Sequence, residues 1–227
     1  MTQIAENISA TTQKIRALET KYSRSESSVR ILAVSKRHSE AKIREAAAAG
    51  ISEFGENFLQ EAEEKIAALT DLKLSWHFIG PVQSNKTRGI AENFDWVQSV
   101  ERDKIATRLS EQRPDDKPPL NICIQVNLSE EDSKSGTSLE YAQALCELVT
   151  KLPRLKLRGL MAIPAPEENF GRQRHCFNLL ANEYARLQKL FPEMDTLSLG
   201  MSNDFEAAIA EGSTMVRLGT VLFGQRA

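Results

Sequence analysis

The chain has 227 residues, 41% of them hydrophobic and 26% charged, a balance that excludes disordered and collagen-like proteins. Its length fits one α/β domain over residues 1–227 better than two domains of about a hundred residues each. Twenty-nine basic against 31 acidic residues leave a net charge of −2, so no global field favours nucleic acid or an anionic membrane, and neither is expected as a partner.

The first segment carries Ile4, Ile8, Ile15, Leu18 and Tyr22 on one face, which predicts a helix ahead of the first strand. It has no apolar core of signal-peptide type, and no apolar run approaches the roughly 20 residues of a membrane span. The three cysteines, Cys123, Cys146 and Cys176, are far apart and odd in number, so no disulfide framework is expected and the cytosol is the expected compartment.

Short apolar runs then alternate with helical spacing. Strands are predicted over 30–35, 51–54, 74–79, 94–100, 120–128, 155–163, 196–199 and 214–218. Ser39 caps a predicted helix that stops at Gly50. Phe58, Ala62, Ile66 and Leu69 form a second stripe, Ala142, Leu145, Cys146 and Val149 a third, and Phe177, Leu180, Tyr184 and Leu187 a fourth. Residues 112–119 read as a surface loop. About 25 residues per unit suit a parallel sheet closed by right-handed crossovers, an α/β fold of the (β/α)8 TIM-barrel kind. A doubly wound open sheet is the alternative, but it favours fewer strands and a glycine-rich first turn, where this chain has Val34-Ser35-Lys36.

A barrel keeps its active site at the C-terminal ends of its strands. Lys36 follows the first strand and alternates with Leu32 and Val34, so it is a candidate amine nucleophile with a pKa lowered by apolar surroundings; the plain alternative is a solvated loop lysine. The seventh and eighth strands end in Leu199-Gly200-Met201-Ser202-Asn203-Asp204 and Arg217-Leu218-Gly219-Thr220. Loops at these positions often bind phosphate: the glycines admit an anion to the backbone, Ser202 and Thr220 offer hydroxyls, and a short helix over 205–210 presents its N-terminus. Each loop alone is ordinary turn chemistry.

Arg217 alternates with Val216 and Leu218; if those face the helices, Arg217 points into the barrel and needs a partner such as a ring nitrogen or a carboxylate. An amine, a phosphate cup and an inward arginine together imply a phosphorylated aldehyde or ketone. Pyridoxal 5′-phosphate meets all three demands, and an arginine at its ring nitrogen weakens it as an electron sink.

The ordered blocks Ala33-Val34-Ser35-Lys36, Phe54-Gly55-Glu56-Asn57, Trp76-His77-Phe78-Ile79-Gly80, Gln83-Ser84-Asn85-Lys86, Ser133-Lys134-Ser135-Gly136, Gly159-Leu160-Met161, Ser198-Leu199-Gly200-Met201-Ser202 and Val216-Arg217-Leu218-Gly219-Thr220 resemble the YggS/PROSC-type pyridoxal phosphate homeostasis proteins, relatives of the N-terminal barrel of alanine racemase. The resemblance covers nearly the whole chain after residue 30. It implies a fold-type III barrel with the cofactor held as an aldimine on Lys36. It further implies phosphate contacts from Ser202, Gly219 and Thr220, Arg217 at the ring nitrogen, and Asn57, Met161 and Ser198 beside the ring. The sequence departs from the usual pattern at Arg37-His38-Ser39 and at Pro81, which touches the shape of the mouth rather than the lysine.

Other polar residues read as structural. His77 alternates with Trp76 and Phe78 and is expected to be a hydrogen-bonded barrel histidine; His38 and His175 fall in a loop and on a helix; and no trio has metal-ligand spacing. Cys123 and Cys146 read as small buried residues. Lys65, Lys86 and Arg88 suggest a basic rim, and Lys134 a second amine, though solvated faces look alike. Racemisation needs an acid/base on each face of the substrate carbon. Alanine racemase takes its second one, a tyrosine, from a further domain, whereas Tyr22, Tyr141 and Tyr184 fall here in predicted helices. The expectation is therefore a monomeric, non-catalytic carrier that buffers pyridoxal phosphate or delivers it to apoenzymes. A small amino-acid racemase and a Schiff-base aldolase using Lys36 are the alternatives.

Overall fold

Strand alternation sorts side chains into two sets, and in the computed structural model, which describes residues 2–128 and 135–225, the two sets face opposite sides of a closed sheet. The strands are β1 (Arg30–Val34), β2 (Glu53–Glu56), β3 (Ser75–Phe78), β4 (Trp96–Val100), β5 (Leu120–Gln125), β6 (Leu155–Met161), β7 (Thr196–Ser198) and β8 (Met215–Leu218). Each pairs in parallel with the next, and β1 pairs with β8, with Ala33 opposite Leu218, to close the barrel. The open doubly wound alternative is excluded by that closure.

The helices are α1 (Gln3–Lys21), α2 (Glu40–Ala48), α3 (Leu59–Ala68), α4 (Thr87–Asn93), α5 (Asp103–Gln112), α6 (Leu139–Lys151), α7 (Phe170–Leu190), α8 (Phe205–Ala210) and the single turn α9 (Thr220–Phe223). The stripes predicted on α6 and α7 are buried throughout. On α1 the stripe is buried from Ile4 to Leu18, while Tyr22 is the C-cap rather than a helical residue. Ser39 stands at the N-cap of α2 by backbone conformation without a side-chain cap bond, and Gly50 ends the turn at φ +97°.

Two expectations are corrected. β2 begins and ends two residues later than the apolar run suggested: its ladder with β3 opens where Ser75 N–H donates to Ser52 O at 2.8 Å and Glu53 stands opposite Ser75. Phe58 does not join the stripe of α3: it precedes the helix and is 51% exposed.

Between sheet and helices lies the main apolar core, which includes Ala33, Phe54, Val97, Leu160, Val216 and Leu218. The opposite set fills the barrel itself: Leu32, Val34, Ile79 and Met215 pack together, as do Trp96, Cys123 and Met161. At the N-terminal end Arg30 pairs with Glu53 at 2.8 Å and Arg158 with Asp195, while both guanidinium groups lie over the Trp96 ring. Among the described residues no helix is long and apolar enough to cross a membrane, and no group of three or more metal-ligating side chains occurs.

Candidate functional site at the barrel mouth

Parallel register brings the strand-end residues to one face. Val34 lies opposite Gly55 and Ser35 N–H donates to Gly55 O at 3.0 Å, so Lys36 and Asn57 both follow just past the paired ends of β1 and β2. Leu218 lies opposite Ala33, and a Cβ on Gly219 would stand 3.4 Å from Val34 O, so the start of α9 lies beside the end of β1. Met161, Ser198 and Met215 align across β6, β7 and β8. Lys36, Asn57, Ser202, Gly219 and Thr220 thus share the mouth, with Met161, Ser198 and Arg217 beneath it.

Arg217 points into the barrel, as alternation with Val216 and Leu218 requires. One guanidinium nitrogen donates to the Ser198 carbonyl at 2.7 Å and the Ser198 hydroxyl at 2.8 Å, and the other donates to the Ala162 carbonyl at 2.7 Å. These use three of the five donors of its rigid fork. Burial lowers its pKa to about 10, with the negative charge of Asp204 opposing that fall, so it remains a cation at neutral pH. The Ser198 hydroxyl passes the interaction on, donating to Gln98 Oε1 at 2.7 Å; Gln98 Nε2 faces His77 Nδ1 at 2.9 Å. His77 is fully buried and stacked on Trp96 with ring centroids 4.9 Å apart, the barrel histidine that the sequence suggests.

The cup after β7 and β8 is built from tight turns. Gly200 has φ +92°, and a Cβ there would stand 2.7 Å from Ala208 Cβ, so glycine brings α8 up against the end of β7. Asp204 precedes α8 as its N-cap residue and accepts from Met201 N–H at 2.5 Å. Gly200 O accepts from Arg217 N–H at 2.9 Å, which ties this turn to β8. In α9 the first internal bonds run from Leu222 and Phe223 to Gly219 O, leaving the N–H groups of Thr220 and Val221 ahead of them at the turn's start. Ser202 is half-buried and Thr220 exposed.

The lysine loop is joined to this cup: the His38 ring stacks on Phe223 of α9 at 4.7 Å. Lys36 is half-buried, and Asn57 beside it has a buried Oδ1 with no hydrogen-bond partner. Lys65 corrects the expectation of a basic rim. It is buried beneath the lysine loop and pairs with Glu56 and Glu61, each at 2.7 Å; Arg88 pairs with Glu92 at 3.8 Å on its own helix. Lys134 lies outside the described residues.

An amine, a buried guanidinium and the start of a helical turn thus lie together at one barrel end. Residues 7–227 match the profile of the alanine racemase N-terminal domain. The chain is 55% identical over 230 residues to the pyridoxal phosphate homeostasis protein of Pseudomonas aeruginosa, covering 100% of this chain and 97% of that protein. The corresponding protein of Escherichia coli K12 is 51% identical over 229 residues, covering 100% of this chain and 98% of that one.

The chain belongs to the pyridoxal phosphate homeostasis proteins, within the alanine racemase N-terminal domain family.

Among solved structures, PipY of Synechococcus elongatus with pyridoxal phosphate bound is 38% identical, with a TM-score of 0.84, covering 98% of this chain and 100% of that one. Alanine racemase of Corynebacterium glutamicum, 17% identical with a TM-score of 0.71, covers 98% of this chain and 61% of its own, and shares the fold alone.

What the sequence did not reveal is the support under the site: the Glu56–Lys65–Glu61 cluster and the Gln98 bridge. Gln98 did carry a signal, since a glutamine two residues from an inward tryptophan on a buried strand must find a partner.

Proposed function

We propose that this protein binds pyridoxal 5′-phosphate at the barrel mouth, with Lys36 as the point of covalent attachment, and that it holds the cofactor for cytosolic apoenzymes as a monomer without turning over a substrate of its own. The observation that carries this reading is the convergence of Lys36, the turn at Gly219 and Thr220, and the inward Arg217 on one end of the barrel. Family membership supports it, as does the relative that holds the same cofactor.

The residues present fit the group. Thr220, Ser202 and the backbone at Gly219 suit its phosphate, Arg217 suits the ring nitrogen, and Asn57, with its unpartnered buried oxygen, follows the end of β2 as the lysine follows that of β1. Met161 and Ser198 would underlie the ring, Ser198 acting through Arg217, to which its hydroxyl is bonded. When bound, the cofactor supplies an aldehyde and an electron-withdrawing ring. A cationic arginine at the ring nitrogen keeps a proton off that atom and so blunts its electron withdrawal.

The carrier reading is supported by the placement of the acid–base groups. Tyr141 donates to Asp103 on the outer surface, Tyr184 is packed on α7, and burial pushes the Cys123 and Cys146 thiols up to about 12.

Titration with pyridoxal phosphate tests the reading. We expect the near-visible band of a cofactor joined to an amine, a borohydride-fixed adduct on the Lys36 peptide, and loss of both in Lys36→Ala. A protein that takes up no cofactor, or is labelled elsewhere, refutes it. Exchange of an amino-acid α-proton with solvent would reverse the non-catalytic part alone.

A further inference from the structure

The two residues on either side of Lys36 are gripped by one buried ionic cluster. Lys65, on α3 and only 5% exposed, donates to Ser35 O at 2.8 Å, to Glu56 Oε1 at 2.7 Å and to Glu61 Oε1 at 2.7 Å. Glu56 Oε1 also accepts the Ser35 hydroxyl at 2.7 Å, and Glu61 Oε1 accepts from Arg37 N–H. Ser35 is bonded in addition to Gly55 O through its N–H at 3.0 Å. Arg37 sits at φ +62°, a left-handed conformation unfavourable to a residue with a Cβ, and the carboxylate on its N–H holds it there.

Such a cluster is costly to bury. Burial pushes the Glu56 carboxyl above its ordinary value despite Lys65 and Ser35, and its Oε2 has no partner. Well-packed apolar side chains would stabilise this layer at least as well. An ionic cluster contributes direction: three donors of one ammonium fix a carbonyl and two carboxylates, and these fix Ser35 and Arg37.

We propose that Lys65 is a positioning residue for Lys36: together with Glu56 and Glu61 it clamps the backbone on both sides, so that the Lys36 amine meets the cofactor aldehyde at one place. The proposal rests on the reading that Lys36 carries the cofactor. In that step the amine nitrogen bonds to the aldehyde carbon, and the aldehyde oxygen departs as water with the two amine protons. The clamp therefore matters to a ligand with an aldehyde and hardly at all to pyridoxine 5′-phosphate, which has the same ring and phosphate but an alcohol in that position.

The test compares both ligands on the full chain. Lys65→Met is expected to weaken pyridoxal phosphate by about tenfold or more and pyridoxine phosphate by no more than about twofold, with less borohydride-fixed adduct at saturation. Lys65→Met/Glu56→Gln removes the unpaired buried carboxylate; it is expected to regain melting temperature and keep the selective loss. If Lys65→Met does not fold, that double variant and Glu61→Gln, on the cluster's exposed side, carry the same comparison. Equal weakening of both ligands, or recovery of aldehyde binding along with stability, overturns the proposal and leaves Lys65 a purely structural residue. An adduct on Lys36 that is unchanged in the variants also overturns it while sparing the reading of function. No adduct on Lys36 in the unsubstituted protein refutes both.

Discussion

Arg217 donates from a single nitrogen to both oxygens of Ser198, the carbonyl at 2.7 Å and the hydroxyl at 2.8 Å. Because a guanidinium only donates, it sets the direction of every bond behind it. Ser198 must accept from Arg217 and give its proton to Gln98 Oε1; Gln98 must then offer its amide hydrogens to His77 Nδ1, which leaves the His77 proton on Nε2.

A double-mutant cycle tests this chain. Ser198→Ala and Gln98→Leu each leave a buried partner unsatisfied, so each should cost about 1–3 kcal/mol in urea unfolding. Since both cut the same chain, the double variant should cost less than the sum, with a coupling of about 0.5–3 kcal/mol. Strict additivity would show that the two bonds act independently.

His77 gives the chain a pH signature. Burial, with Arg30 and Arg158 adding repulsion, holds its imidazole well below the ordinary value. Above about pH 6.5 the folded and unfolded chains both carry it neutral and nothing is exchanged. As the pH falls below that value, the unfolded chain takes up a proton that the folded site refuses, so stability falls with pH by up to about 1.4 kcal/mol per unit until the folded pKa is reached. His77→Gln keeps an acceptor for Gln98 and does not titrate. Its unfolding free energy should lose that part of the slope between about pH 6.5 and 5.5, and an unchanged slope would place the titrating group elsewhere.

Alternation made Arg217 legible, because on β8 the two neighbours Val216 and Leu218 are both suited to the helix side. The start of α8 was legible as well, from the glycine turn and the polar residues before it. Lys65 was not. In sequence it reads with Lys86 and Arg88 as a basic rim or a solvated face, and its partners Ser35 and Glu56 come from the end of β1 and from β2, outside its own helix. The Gln98 partners were hidden for the same reason: His77 is on β3 and Ser198 on β7, and the latter comes within reach only across the interior of the closed barrel.

Arg24 ties the end of α1 to the turn between α8 and β8, at the barrel end away from the cup. It donates to Ile209 O and Ser213 O, both at 3.1 Å, at the C-terminal end of α8. Arg24→Ala should cost about 1–2 kcal/mol in thermal or urea unfolding. It should leave the binding of pyridoxal phosphate and pyridoxine phosphate within about twofold, because Ile209 and Ser213 lie away from the turns that face their shared phosphate. Clear weakening of either ligand at full folding would contradict that separation of the two barrel ends.

Gly200 and Gly219 look alike in sequence and are expected to behave differently. At Gly200 a Cβ requires a left-handed backbone at φ +92° and stands 2.7 Å from Ala208 Cβ and 2.9 Å from Phe205 Cα. Gly200→Ala should therefore destabilise the protein by about 2–5 kcal/mol and displace α8. Gly219 has φ −112°, and the nearest atom to an added Cβ is Val34 O at an ordinary 3.4 Å. Gly219→Ala should stay within about 0.5 kcal/mol of the parent in stability. Its effect should fall on phosphate binding, where the methyl keeps a ligand away from the backbone at the start of α9 and weakens pyridoxal phosphate by about fivefold or more, the equivalent of one lost hydrogen bond. Melting curves with and without cofactor separate the two cases: Gly200→Ala lowers both curves, whereas Gly219→Ala leaves the cofactor-free curve in place and reduces only the rise that the cofactor produces.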